Sequence, residues 1–122
     1  MSPRVLASSL ALVLLLAART AQAQDPVKVS PDHFKVLLEN ERVRVLDFHS
    51  TAGVKIPMHS HPDYISYSIS GAGKTKFTSA DGKVTEETAK TGQATWHKAK
   101  THASEYMGTG SAHVLLIELK GK

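Results

Sequence analysis

Residues 64–73 read Tyr64-Ile65-Ser66-Tyr67-Ser68-Ile69-Ser70-Gly71-Ala72-Gly73. Successive side chains of a strand point to opposite faces, so Ile65, Tyr67 and Ile69 share one side and the serines the other. The glycines end the run. Residues 74–78 follow as a hairpin partner, Asp81-Gly82 is a two-residue turn signal, and residues 84–88 supply the return strand. Upstream, residues 34–38 are a short apolar run before Asn40, and residues 54–61 are extended but interrupted by Pro57. Residues 42–48 alternate as far as Val45 and then change phase, which predicts a bend or bulge in that strand. Downstream, residues 93–97, 102–107 and 113–119 are short strands set apart by Gly92, Gly108 and Gly110, the last of them apolar enough to be well buried. About nine short strands, with no helical period after residue 24, predict an all-β sandwich or barrel.

The first 23 residues have a different character. Arg4 is followed by an apolar run over residues 5–18 and then by Ala21-Gln22-Ala23, a small-x-small cleavage pattern. This is the pattern of a cleavable signal peptide, processed after Ala23; the run is too short and too closely followed by Arg19 to span a bilayer comfortably. The expected organisation is therefore a signal peptide over 1–23, an extended lead-in over 24–33 containing Pro26 and Pro31, and a barrel domain over 34–122. Export implies a periplasmic or secreted protein with no membrane association once the peptide is removed. There is no cysteine, so disulfides, thiolate metal sites and a cysteine nucleophile are excluded. The net charge is +4 from 15 basic and 11 acidic residues, and losing Arg4 and Arg19 reduces it to +2. The remaining cations alternate with acids, as at Glu39, Glu41, Arg42, Arg44 and Asp47, without the basic stripe that a nucleic acid requires.

The chemistry lies in the 7 histidines. In His59-Ser60-His61 the two imidazoles fall on one face of a strand, about 6.5–7 Å apart along it, where they can converge on one ion. Pro57 and Pro62 bracket and stiffen the pair. His97 lies beside Trp96, and strand parity lets only one of the two face inward. His33, His49 and His113 lie near strand ends and read as structural or exposed.

Gly53, a gap of five residues, His59, Ser60 and His61, with Gly71 or Gly73 ending the next strand, resemble the first motif of the cupin superfamily. Gly92-Gln-Ala-Thr-Trp-His-Lys-Ala-Lys-Thr-His102 resembles the second, with His102 as its third histidine. The resemblance covers roughly residues 34–119 and is nearest to small single-domain cupins. It implies a jelly-roll β-barrel in which His59, His61 and His102 hold a divalent metal. The glutamate of the family's metal shell falls near Tyr64 to Ser66, where no acid stands; Asp63 is the nearest acid but is out of register. The second motif's usual Pro and Gly are replaced at or near His97 and Lys100, and its Asn falls on Tyr106. A shell of three neutral imidazoles suits Zn, Fe, Ni or Cu more than Mn, which prefers carboxylates.

Tyr64, Ser66, Asp63, Trp96, His97, Glu105 and Tyr106 are the candidates for lining the pocket or supporting the ligands. Glu105 would orient an imidazole and Tyr106 would donate a hydrogen bond near the metal, and as neighbours in a strand they face opposite sides. Tyr67 and Phe77 read as core. No catalytic group is assigned. Two functions fit: a metal-dependent cupin enzyme, oxygenase or isomerase, acting on a small organic substrate, or a non-catalytic cupin module that binds a small ligand or metal. Exposed edge strands favour a homodimer.

Overall fold

The computed structural model describes residues 24–71 and 73–121, so the signal-peptide reading of residues 1–23 lies outside the described residues. Nine strands form among them: β1 (Phe34–Glu39), β2 (Val43–Thr51), β3 (Lys55–His61), β4 (Tyr64–Ser70), β5 (Gly73–Ser79), β6 (Val84–Ala89), β7 (Ala94–His97), β8 (Lys100–Tyr106) and β9 (Ser111–Leu119). They build two antiparallel sheets, β1-β2-β9-β4-β7 and β3-β8-β5-β6. The apolar strand β9 is the central strand of the first sheet, as its composition requires. The lead-in is not extended throughout. Residues Pro26–Val29 form one helical turn, α1, because Asp25 caps it through the Val27 N–H at 2.9 Å and Pro26 supplies a preset φ at its start. The Gln24 carbonyl accepts from the Ser60 N–H at 2.8 Å, so this segment covers the free edge of β3.

The irregularities decide where side chains point. Strand β2 runs against β9 in unbroken register from Val43 to Thr51. The phase change read in β2 is instead a change in which face is apolar: Leu46 and Phe48 face inward, whereas Val43 and Val45 face outward. The register shift of this pair of strands lies in β1, between Val36 and Leu38. A second shift lies in β3, where Ile56 pairs with Ser104 and His59 with His102, leaving Pro57 and Met58 opposite the single residue Ala103. Proline has no N–H to give to a ladder, so a bulge is where a strand tolerates it. This bulge resets the alternation, so that Ile56, His59 and His61 are all buried.

Phe34, Leu46, Ile56, Tyr64 and Leu116 form the buried core between the sheets, beside the histidines. Gly71 is required at its position: its φ is +78°, and a Cβ there would overlap the Ser111 carbonyl. The alternating face of β4 is oriented against simple expectation. Ser66 and Ser68 point into the barrel with Tyr64, whereas Tyr67 is 41% exposed and Ile69 36%. Tyr67 is therefore not core.

Candidate metal centre

The paired strands β3 and β8 bring three imidazoles together. His59 and His61 are two apart on β3, and His102 lies directly across from His59 on β8. All three are buried, and one nitrogen from each lies within 4.8 Å of the others. Ring centroids are 4.8 Å apart for His59–His61, 4.8 Å for His59–His102 and 5.4 Å for His61–His102.

Their orientation is set from behind. His59 Nδ1 lies 2.7 Å from the Pro57 carbonyl. A carbonyl oxygen only accepts, so Nδ1 carries the proton and the lone pair sits on Nε2. His61 Nδ1 lies 2.7 Å from Glu118 Oε2. Burial by itself would raise the Glu118 carboxyl, but hydrogen bonds from His61 and Arg44 outweigh it and hold the pKa below the ordinary value. Glu118 is thus ionised and accepts, which also leaves the lone pair of His61 on Nε2. Arg44 bonds Glu118 at 2.7 Å and Asp25 at 2.9 Å. His61, Glu118, Arg44 and Asp25 therefore form one continuous chain of charge and hydrogen bonds, buried at His61 and Glu118 and reaching partly exposed Asp25, the arrangement that fixes the tautomer of a metal-binding histidine. His102 is held by packing, stacked on Phe77 at 4.8 Å with 23° between the planes.

Burial, reinforced by the neighbouring imidazoles, pushes His102 down to about 3; for His59 burial wins over the hydrogen bond to Pro57 and brings it to about 4. Both rings are neutral at physiological pH, the form that coordinates. The donor set is three nitrogen ligands with two tautomers fixed, and it fits a divalent borderline metal with positions left for water or substrate.

The histidines face a cavity of about 410 Å3 between the sheets. Its wall is apolar at Phe48, Phe77 and Leu116 and carries hydroxyls at Ser66, Ser68 and Thr75. No Lys or Arg is among its lining residues. Tyr64 packs against His61 at 4.6 Å and stacks on His97 at 4.4 Å, and burial raises its phenol well above the ordinary value. Ser66, where the missing acid is expected, bonds His97 Nε2 at 2.8 Å. His97 is pushed below its ordinary value, by burial first and then by Lys100.

Not every expected residue reaches the site. His97 faces the cavity, so Trp96 faces outward and is 55% exposed. Tyr106 is buried in the wall, and its hydroxyl donates to the Gly71 carbonyl at 3.0 Å. Glu105 therefore lies on the opposite side of β8, across from Lys55 and Lys76, and orients no imidazole. Asp63 is exposed in the turn after β3, where it accepts from the Ala99 N–H at 2.8 Å. The carboxylate that does the orienting is Glu118, which sequence reasoning missed. Its signal was an acid placed two residues after Leu116 on the buried parity of β9.

A double-stranded β-helix whose inner face carries the histidines of both motifs is the cupin fold, and this chain is a cupin-fold protein. Among solved structures it is similar to a cupin domain from Bordetella pertussis, at 20% identity and TM-score 0.65 over 72% of this chain and 92% of that one. It is also similar to a Klebsiella pneumoniae protein with a double-stranded β-helix domain, at 21% identity and TM-score 0.55 over 74% and 75% of the two chains. A cupin superfamily protein from Desulfitobacterium hafniense aligns at 17% identity and TM-score 0.53 over 72% and 76%. No family model and no protein of curated function matches the chain.

Proposed function

We propose that this is an exported small cupin that holds a divalent metal through His59, His61 and His102 and acts on a small organic substrate as a metal-dependent oxygenase or isomerase. The observation that carries this reading is the pair of fixed tautomers: Pro57 and Glu118 hold the Nδ1 protons of His59 and His61 and leave both Nε2 lone pairs free. Bound there, the metal supplies a Lewis acid with open positions for water, oxygen or substrate. The chain's own residues do the rest. The Glu118–Arg44–Asp25 chain keeps His61 oriented. Phe77 and Leu116 exclude water, and Ser68 and Thr75 offer hydrogen bonds to hydroxyl or carbonyl groups. A wall without Lys or Arg, and with Glu87 as its carboxylate, offers no cationic side chain to an anionic group of the substrate. His97, held neutral and bonded to Ser66, is the titratable group placed to accept a proton. The signal-peptide pattern of residues 1–23 supports export to the periplasm or medium, and the exposed outer side of the first sheet, with Tyr67, Ile69 and Trp96, supports pairing with a second copy.

The absence of an acid from the histidine shell favours the second reading, a cupin module that binds a ligand or metal without turnover. Elemental analysis of the purified protein, followed by oxygen-uptake assays on a panel of small phenols and carbonyl compounds, separates the two. A near-stoichiometric redox metal that disappears in His59→Gln and His102→Gln, together with substrate-dependent oxygen uptake, supports the oxygenase. Substrate conversion without oxygen uptake supports the isomerase. Metal content unchanged in both variants rejects the site.

A further inference from the structure

A second group of metal-ligating side chains lies on the opposite face of the first sheet. Asp47 and His49 are two residues apart on β2 and so point to the same side. His113 on β9 is directly across from His49. His49 Nε2 lies 2.9 Å from Asp47 Oδ2, and His113 Nε2 bonds Asp47 Oδ1. The two rings are stacked, with centroids 3.9 Å apart and planes at 17°. One ligand atom from each of the three residues lies within 4.8 Å of the others. His49 is exposed and His113 partly so, with side-chain accessibilities of 59% and 29%.

We propose that Asp47, His49 and His113 form a second, surface site for a divalent borderline metal such as Zn, Cu or Ni, independent of the histidines in the barrel. Three features argue for it. Two neutral imidazoles and one carboxylate are a donor set that these metals take readily, and one that leaves a position for water or another ligand. All three donors stand on neighbouring central strands in unbroken register, so their backbones are already placed and little chain entropy is lost on binding. The same atoms, both Nε2 nitrogens and the Asp47 carboxylate, already converge. Coordination at about 2.0–2.2 Å then needs only side-chain rotation. Each neutral ring shifts its proton from Nε2 to Nδ1 and gives the Nε2 lone pair to the ion, so a neutral ring releases no proton. Lys35, across from Asp47 on β1, is the cation placed to compete for the carboxylate. The site differs in kind from the inner one: its carboxylate is a direct ligand, whereas in the barrel Glu118 acts through His61.

The test is a calorimetric Zn titration of the protein, stripped with chelator and carrying no polyhistidine tag. The wild type is compared with His49→Gln/His113→Gln, with Asp47→Asn and with His59→Gln/His102→Gln, all checked for a folded β spectrum. Two equivalents in the wild type, falling to one in the His49/His113 pair and remaining at one in the His59/His102 pair, is the expected result. Asp47→Asn tests the same site without altering a ring, and should weaken one equivalent by at least about tenfold, roughly 1.4 kcal/mol. One equivalent in the wild type that survives the His59/His102 change and is lost with His49 and His113 supports this site and rejects the inner one. An unchanged stoichiometry in the His49/His113 variant and in Asp47→Asn overturns the proposal. Paramagnetic broadening by Cu of the ring signals of His49 and His113, in the variant lacking His59 and His102, is the second readout; no broadening of those signals overturns it as well.

Discussion

The inner face of the second sheet and the outer face of the first carry the same kind of side chain in opposite physical states. Inside, His59, His61 and His102 on β3 and β8 are buried, and the carboxylate behind His61 stands one hydrogen bond away, on β9. Outside, His49 and His113 meet their carboxylate directly and in part in solvent. Burial keeps His59 and His102 neutral by making their charged form costly. In return, the inner face satisfies the Nδ1 protons of His59 and His61 internally, through the Pro57 carbonyl and the chain from Glu118 to Arg44 to Asp25. On the outer face, the pKa of Asp47 is held below its ordinary value: burial pushes it up, but the bonds from His113 and His49 pull it further down. Histidines on the two sheets thus form an all-nitrogen cluster inside the barrel and a mixed nitrogen–oxygen cluster outside it.

The sharpest way to break this comparison is His102→Gln. Metal uptake by the inner shell should be lost altogether, with the outer cluster unaffected, as read by equilibrium dialysis. Equal loss at both sites would mean that the two are not independent.

Acid should destabilise the chelated protein through the inner rings. His59 and His102 titrate at about 4 and about 3 when folded, against 6.5 when unfolded. Between pH 6.5 and about 4 the unfolded chain therefore binds more protons, and stability falls as pH falls, by roughly 1.4 kcal/mol per pH unit for each fully titrating ring. Below the folded values the slope vanishes. Denaturant melts across this range check it. The His59→Gln/His102→Gln variant should be flatter, and a variant slope as steep as the wild type's would assign the acid sensitivity elsewhere.

Glu118→Gln leaves the ligands in place but removes the charge behind His61. Inner-site affinity should fall about 10–100-fold, measured by competition with a chromophoric chelator, while the outer site holds its affinity. Ser66→Glu makes the inner shell resemble the outer one by adding a carboxylate at the inward position on β4. It should tighten inner binding about tenfold, with the largest gain for Mn. No gain would mean that residue 66 does not reach the metal, as its present bond to His97 would permit.

Much of this was legible in the residues themselves. The alternation of residues 64–70, the Asp81-Gly82 turn and the glycine spacing specify nine strands because period and turn chemistry are local properties. His59 and His61 were recoverable because an x-separated pair on a strand shares a face whatever the strand packs against, and His102 through the resemblance to the second cupin motif. Glu118 was not, since its role depends on β9 lying between β2 and β4, and nothing within residues 111–119 encodes those neighbours. The choice between Trp96 and His97, and between Glu105 and Tyr106, was reduced by parity to one of each but not resolved. The outward face of β4 is the more apolar one, so hydrophobicity pointed the wrong way there.

The order of amino acids by itself determined an all-β chain and the paired imidazoles of His59 and His61, because each follows from residue type and spacing within a few positions; His102 entered through the resemblance to the second cupin motif. Tertiary structure alone decided that Pro57 and Met58 bulge to bring Ile56 and His59 to the same interior, that Glu118 and Arg44 lock His61, and that Asp47 meets two stacked histidines. Those outcomes depend on pairing between strands far apart in the chain, where register rather than composition selects the contacts.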